Sequence, residues 1–249
     1  MKLLSIGNSF STDAHKWLHK LAEINGINIE TANLFIGGCS LETHWENFTQ
    51  NNAYYSLEIN GNEGEKLISI PQALAMDKWD VITFQQASHF SGIEETYEPY
   101  LTSLADAVKK AQPQSKLYFH QTWAYETDSL HPGFADYNHS QQEMFERIVS
   151  ASQNAAKAIG AEIIPTGSVI QRLRKTVPEF DYGNGGISLC RDGFHLSFDY
   201  GRFTAAAVWL RSLTGIKIQC DCFEDFDTAL LNKILEVVNN IYAKTPQQN

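Results

Sequence analysis

The sequence has few of the residues that mark several protein classes. Only four of its 249 residues are cysteines, and they lack the paired spacing of a structural zinc site. No apolar run approaches the roughly 20 residues that cross a bilayer. The N-terminus has neither the long apolar segment nor the cleavage site of a signal peptide. We therefore predict no metal and no membrane span. The protein is then cytoplasmic, or secreted if a signal was removed before this numbering begins.

Basic residues are also scarce. The chain has 19 Lys and Arg against 29 Asp and Glu, which gives a net charge of −10. Such a balance argues against a nucleic-acid surface or an anionic membrane as partner, and its more ordinary meaning is a soluble acidic protein. Hydrophobic residues make up 43% of the chain, enough for a sizeable core. The length fits one domain over residues 1–249.

Short apolar runs alternate with longer amphipathic stretches, and this order predicts the fold. The runs at 2–7, 27–36, 80–85, 117–121 and 162–164 read as strands, each followed by a helix. Their unbroken apolar character indicates parallel strands that are buried on both faces. The sequence therefore predicts a three-layer α/β/α sandwich around a mainly parallel, five-stranded sheet.

The pattern also predicts smaller features. A small β-hairpin insertion is expected from residues 54–59 and 66–70, with Asn60-Gly61-Asn62 as its turn. The first helix is predicted over 13–25, with Thr12 or Asp13 as its N-cap. A short helix over 41–48 follows a Ser40 cap, and the last helix is predicted over 226–243. Long loops at 122–138 and 178–199 favour a functional role for both segments.

Residues suited to acyl transfer lie at predicted strand ends. In a parallel sheet these ends carry the ligand site. Ser9 follows the first strand, Gly38 the second and Gln86 the third. Late in the chain comes Asp192, followed three residues later by His195. A serine, a histidine base and an orienting carboxylate are the parts of a serine hydrolase.

In this order, the motifs Gly7-Asn8-Ser9, Gly38, Gln86 and Asp192-Gly193-Phe194-His195 resemble those of the SGNH or GDSL-type hydrolase superfamily. The chain looks most like a branch with Gly-Asn-Ser-Phe and Asp-Gly-x-His-Leu-Ser signatures. The resemblance implies a flavodoxin-like fold, Ser9 as nucleophile, and Asp192 and His195 as its partners. It implies an oxyanion hole made of the Ser9 N–H, the Gly38 N–H and the Gln86 side chain. It implies no cofactor.

The chain departs from the superfamily pattern at two positions. Asn8 stands where an aspartate is usual, and Gln86 stands where an asparagine is usual. Gln85 competes with Gln86 for the oxyanion role. Strand alternation turns the two side chains to opposite faces, and we prefer Gln86 because it should share a face with Phe84.

Two further residues are candidates for the substrate pocket. His89 lies just after Gln86, and Trp123 begins the loop after the fourth strand. Aromatic rings at strand ends suit stacking on a sugar face, although loop packing is an equal alternative for Trp123. With the resemblance, these residues indicate a serine esterase that removes a small acyl group, such as O-acetyl from a carbohydrate.

Two other functions stay open at the level of sequence. Asp13-Ala14-His15 is an Asp-x-His motif that a metal-dependent phosphoesterase could use. The departure at Gln86 is compatible with a relative that binds carbohydrate without hydrolysing it.

Overall fold

The computed structural model describes residues 1–241, and these form one seven-stranded sheet with helices on both faces. In spatial order the sheet runs β4-β3-β2-β1-β5-β6-β7. The strands are β1 Lys2–Gly7, β2 Glu30–Phe35, β3 Tyr55–Ile59, β4 Leu67–Ile68, β5 Val81–Phe84, β6 Lys116–His120 and β7 Glu162–Ile164. The helices are α1 Ser9–His15, α2 Leu18–Ile24, α3 Leu41–Thr49, α4 Ile70–Met76, α5 Tyr100–Ala111, α6 Gln141–Ile159, α7 Thr166–Thr176, α8 Tyr200–Thr214 and α9 Thr228–Asn239.

The central five strands β2, β1, β5, β6 and β7 pair in parallel, which confirms the predicted α/β/α architecture. The predicted hairpin does not stand apart as a separate insertion. Its first strand, β3, pairs antiparallel with β2, so the hairpin extends the main sheet to seven strands. The second strand of the hairpin is shorter than predicted and consists of Leu67 and Ile68 only.

Alternate residues along the central strands pack into two separate hydrophobic cores, one on each face of the sheet. Leu3 and Val81 pack on one side of the sheet, and Leu4 and Ile82 on the other. All four are almost completely buried. Burial on both faces explains why these strands read as unbroken apolar runs.

The first predicted helix differs most from expectation. It is two short helices, α1 and α2, and α1 begins at Ser9, four residues earlier than predicted. Asn8 caps it, with Ser11 completing a capping box, so neither Thr12 nor Asp13 is the cap. Ser40 caps α3 as predicted. The last helix, α9, begins later than predicted, and residues 242 and 243 of that prediction lie outside the described residues.

Three histidines are enclosed by this fold. His15 hydrogen-bonds Ser5 Oγ at 2.7 Å, and the His44 ring packs against Tyr55. His120 lies at the end of β6. Burial lowers the pKa of all three to about 3, and for His120 the nearby His15 adds to the effect. The folded protein therefore holds them neutral.

These histidines predict acid lability. The stability that the neutral rings confer is fully present above about pH 6.5, the usual pKa of an unfolded histidine, and is lost as the pH falls toward 3. At pH 5 each ring should cost about 2 kcal/mol of unfolding free energy. Urea denaturation from pH 7 to pH 5 measures this loss, and His44→Gln should remove about a third of it. An unfolding free energy that stays flat over this range would contradict the prediction.

Candidate active site

Ser9 stands at a sharp turn between β1 and α1. β1 ends at Gly7, Asn8 is extended, and Ser9 is the first residue of the helix. A Cβ at Gly7 would lie 2.1 Å from Ser11 Oγ, so only glycine lets the helix fold back this closely on the strand. The turn leaves the Ser9 side chain partly exposed at the carboxyl edge of the sheet.

The Asn8 side chain holds this turn in place. Its Nδ2 donates to the Cys39 carbonyl at 3.1 Å, while its Oδ1 accepts from the Phe10 N–H at 3.0 Å. The same oxygen accepts from Gln85 Nε2 at 2.6 Å. Asn8 therefore ties the start of α1 both to the loop after β2 and to the end of β5.

The Asp192–His195 turn builds the other half of the site. His195 Nδ1 lies 2.8 Å from Asp192 Oδ2, and Asp192 Oδ1 accepts the N–H groups of His195 at 2.8 Å and of Phe194 at 3.2 Å. Partial burial raises the pKa of Asp192, but these hydrogen bonds outweigh it and the net shift is downward. Asp192 is therefore ionised at neutral pH and orients the imidazole through Nδ1.

The fold brings the two halves together. His195 Nε2 lies 2.9 Å from Ser9 Oγ, although the two residues are 186 positions apart in the chain. Ser9, His195 and Asp192 thus form one continuous hydrogen-bonded line. The line has the connectivity of a nucleophile, a base and an orienting carboxylate.

Gly38 lies in the loop that Asn8 fastens. Its φ is +63°, in the left-handed region that favours glycine, and a Cβ there would meet nothing within 4 Å. The left-handed backbone conformation, and not a lack of space for a side chain, therefore explains why this residue is glycine. Because the next residue, Cys39, is bound to Asn8, the Gly38 backbone is held close to the Ser9 turn.

Gln86 does not have the position predicted for it. Its Nε2 donates to the carbonyl and to the hydroxyl of Thr96, at 3.0 and 3.1 Å. Its Oε1 accepts from the N–H groups of Leu41 and Ala87. Both amide hydrogens are thus engaged, and the prediction of an oxyanion donor is corrected: Gln86 fastens α3 and the loop after β5.

Gln85 is the amide that lies beside the Ser9 turn. Besides its bond to Asn8, it accepts at Oε1 from His120 Nδ1 at 2.7 Å. His120 Nε2 then faces Thr166 Oγ1 at 3.0 Å. Strand alternation does turn the two glutamines to opposite sides, as predicted, but the side facing Asn8 belongs to Gln85.

Trp123 is a support for the site and is not an exposed sugar platform. Its side chain is completely buried and stacks on Phe10 with ring centroids 4.1 Å apart. Its Nε1 donates to the Phe194 carbonyl at 2.7 Å, next to His195. The alternative of loop packing is therefore the correct one, and Trp123 helps to fix the Asp192–His195 turn.

His89 makes no hydrogen bond to Ser9, His195 or Asp192. It stacks on His131, with ring centroids 5.7 Å apart, and burial followed by the charge of His131 lowers its pKa. His131 lies nearer: its ring packs against Phe194 at 4.8 Å, and burial and then the charge of His195 lower its pKa. Sequence reasoning did not place His131 beside the site, and its only signal was its position in the first long loop. Phe194 was named only as a member of the Asp192–His195 motif, although its place next to His195 already indicated that it adjoins the site.

The Asp13-Ala14-His15 motif is not arranged as a metal site. Asp13 is bonded to Arg191 and Arg202, and His15 Nε2 faces Ser5 Oγ. Within residues 1–241 there is no cluster of three His, Cys, Asp or Glu side chains that could hold a metal ion. The motif therefore lends no support to the phosphoesterase alternative. In the same part of the chain, no helix combines the length and the apolar character needed to cross a membrane.

The fold belongs to a known structural class. A candidate SGNH hydrolase from Slackia heliotrinireducens superposes with a TM-score of 0.58 at 24% identity, over 86% of this chain and 98% of that one. A catalytic mutant of an acetylxylan esterase from Geobacillus stearothermophilus gives 0.53 at 14% identity, over 86% and 94%. The chain thus has the fold of the SGNH hydrolases, as the sequence motifs predicted.

Residues 2–240 match the family described as "Domain of unknown function (DUF4886)", and the chain belongs to that family. A DUF4886 family protein from Bacteroides uniformis ATCC 8492 is 37% identical, with a TM-score of 0.88 over 96% of this chain and 93% of that one. No curated protein has a matching sequence.

The contacts of Gln86 predict a structural role that can be measured. Gln86→Leu keeps the approximate volume but leaves the buried N–H of Leu41 without its acceptor. We expect the free energy of unfolding to fall by about 1–3 kcal/mol. Urea denaturation measures this change, and a variant as stable as wild type would contradict the assignment.

Proposed function

We propose that the protein is a serine esterase in which Ser9, His195 and Asp192 form the catalytic triad. The observation that carries the proposal is the continuous line of contacts, 2.9 Å from Ser9 Oγ to His195 Nε2 and 2.8 Å from His195 Nδ1 to Asp192 Oδ2. Both distances are within hydrogen-bond reach for a nucleophile, its base and the group that orients the base.

The ionisation of Asp192 supports the direction of proton transfer. The lowered pKa of this carboxyl keeps it as an acceptor, so His195 carries its proton on Nδ1 and presents a free lone pair on Nε2. Ser9 then attacks the ester carbonyl while Nε2 takes the hydroxyl proton. The imidazolium returns that proton to the leaving alcohol as the acyl-enzyme forms.

Water completes the cycle. His195 takes a proton from a water molecule that attacks the acyl-enzyme, and it returns the proton to Ser9 as the carboxylic acid leaves. In both halves a negative charge develops on the carbonyl oxygen. The backbone N–H groups of Ser9 and Gly38 are the proposed donors to this oxygen. The Gln86 amide is bonded to Thr96, and the Gln85 amide is bonded to Asn8 and His120. We therefore propose a hole built from backbone groups alone.

The proposed substrate is a small ester, an O-acetyl group on a carbohydrate. The acetylxylan esterase that shares the fold is, by its name, an enzyme of this type. The acidic chain, with a net charge of −10, also disfavours anionic partners and is compatible with a neutral acetylated sugar. The ester carbonyl would reach Ser9 at the open carboxyl edge of the sheet.

Removal of either reacting side chain should abolish turnover. We expect Ser9→Ala and His195→Ala each to lower kcat by about a thousandfold or more, because these residues act as one unit. Release of acetate from acetylated xylooligosaccharides and from p-nitrophenyl acetate measures the loss. An active-site serine probe, a fluorophosphonate, should label wild type but not Ser9→Ala.

A matched control is Ser88→Ala, which removes another serine after a central strand. The Ser88 hydroxyl bonds Tyr125 OH, and this variant should keep activity within a few-fold of wild type. Full activity in both Ser9→Ala and His195→Ala would show that the triad assignment is wrong. If wild type binds the acetylated sugar without releasing acetate, and Ser9→Ala binds it equally well, the protein is a binding module.

A further inference from the structure

A buried carboxylate links the two halves of the site. Asp13 lies four residues after Ser9, on the same helix α1, and its side chain is completely buried. Its Oδ1 bonds Arg202 Nε at 2.8 Å and Arg191 Nη1 at 3.0 Å. Its Oδ2 accepts the Leu196 N–H at 2.9 Å. One carboxylate thus satisfies three donors that come from outside its own helix.

Two of these donors flank the Asp192–His195 turn. Arg191 immediately precedes Asp192, and Leu196 immediately follows His195, so Asp13 holds both ends of the Asp192–His195 turn. The turn is also closed on itself, because the Arg191 N–H donates to the His195 carbonyl at 2.9 Å and the Arg191 side chain donates to the Leu196 carbonyl. Arg202 adds an anchor on α8.

From these contacts we infer that Asp13 is a positioning residue that holds His195 in register with Ser9. The inference rests on the proposed function. Ser9 and His195 belong to different elements, α1 and an irregular segment, and the proposed proton transfer depends on the 2.9 Å between them. The Asp13 contacts connect those two elements directly. An error of about 1 Å in such an alignment can cost about a hundredfold in rate.

The burial of Asp13 with its two arginines indicates that these ion pairs serve to position the turn more than to stabilise the fold. Removing a carboxylate from water is costly, and well-packed apolar groups usually stabilise a core as well or better. What an apolar side chain cannot supply is a directed bond to the Leu196 N–H and to two guanidinium groups at once. The directional hydrogen bonds fix the position of the Asp192–His195 turn relative to α1, whereas a nonpolar contact would allow the turn to shift.

The test compares Asp13→Asn with a matched variant, Glu58→Gln. The Glu58 side chain is also buried and also holds α1, through Thr12 Oγ1 at 3.0 and 3.1 Å, but its hydrogen bonds do not reach the Asp192–His195 turn. On p-nitrophenyl acetate, well below the melting temperature of each variant, Asp13→Asn should lower kcat and kcat/KM by the same factor of about 10 to 100, with KM within twofold. Glu58→Gln should stay within about twofold of wild type.

Arg202→Gln is the second variant, in case Asp13→Asn does not fold. It leaves Asp13 paired with Arg191 and bound to the Leu196 N–H, and we expect a loss of about 3- to 10-fold in kcat. Arg202→Lys, which keeps the charge, should recover part of that loss. If Asp13→Asn or Arg202→Gln is folded and as active as Glu58→Gln, the inference is overturned.

A second readout separates this inference from the proposed function. If Ser9→Ala shows that the protein is no esterase, the alignment can still be followed by the proton resonance of His195 Nδ1–H, which Asp192 holds at 2.8 Å. Asp13→Asn should broaden that resonance or speed its exchange with water, and Glu58→Gln should not. An unchanged resonance in Asp13→Asn would overturn the positioning role whatever the protein catalyses.

Discussion

The amide of Asn8 is the group on which the site geometry depends. It uses both of its functions at once, because Nδ2 donates to a carbonyl of the loop after β2 and Oδ1 accepts from α1 and from β5. A carboxylate in this place could accept but could not donate. The departure from the superfamily's aspartate therefore has a physical meaning: the asparagine fastens the Gly38 loop to the Ser9 turn through a bond that aspartate cannot make.

The orientation of the Asn8 amide determines the hydrogen-bond roles of side chains at the ends of the neighbouring strands. Because Asn8 Oδ1 faces Gln85 Nε2, Gln85 must present its oxygen to His120, and His120 must carry its proton on Nδ1. His120 Nε2 is then the acceptor for Thr166. The ends of β1, β5 and β6 and the start of α7 are thus joined by one directed chain of hydrogen bonds. A protonated His120 could no longer accept at Nε2, which would interrupt this chain of hydrogen bonds. Burial prevents this because it keeps the ring neutral.

The sequence predicted the parts of the fold that depend on local pattern. Strands buried on both faces reveal themselves as apolar runs, and the order of motifs placed Ser9 at the end of the first strand. The sequence could not say which of Gln85 and Gln86 lies beside the Ser9 turn, because that depends on partners distant in the chain, Asn8 for Gln85 and Leu41 for Gln86. The role of Trp123 stayed open at the level of sequence for the same reason, because its stacking partner, Phe10, is more than 100 residues away.

Asp13 and Asp192 have the same type of side chain but different surroundings, and we infer a different role for each. Both are bonded within one small region, but Asp13 is fully buried against two arginines whereas the Asp192 side chain is 42% exposed and faces an imidazole. A carboxylate bonded to two guanidinium groups and a backbone N–H serves as an anchor. One paired with a titratable ring can respond to its charge. Sequence alone gives both as Asp-x-His or Asp-x-x-His motifs, and only the partners distinguish the inferred anchor from the proposed orienting group of a base.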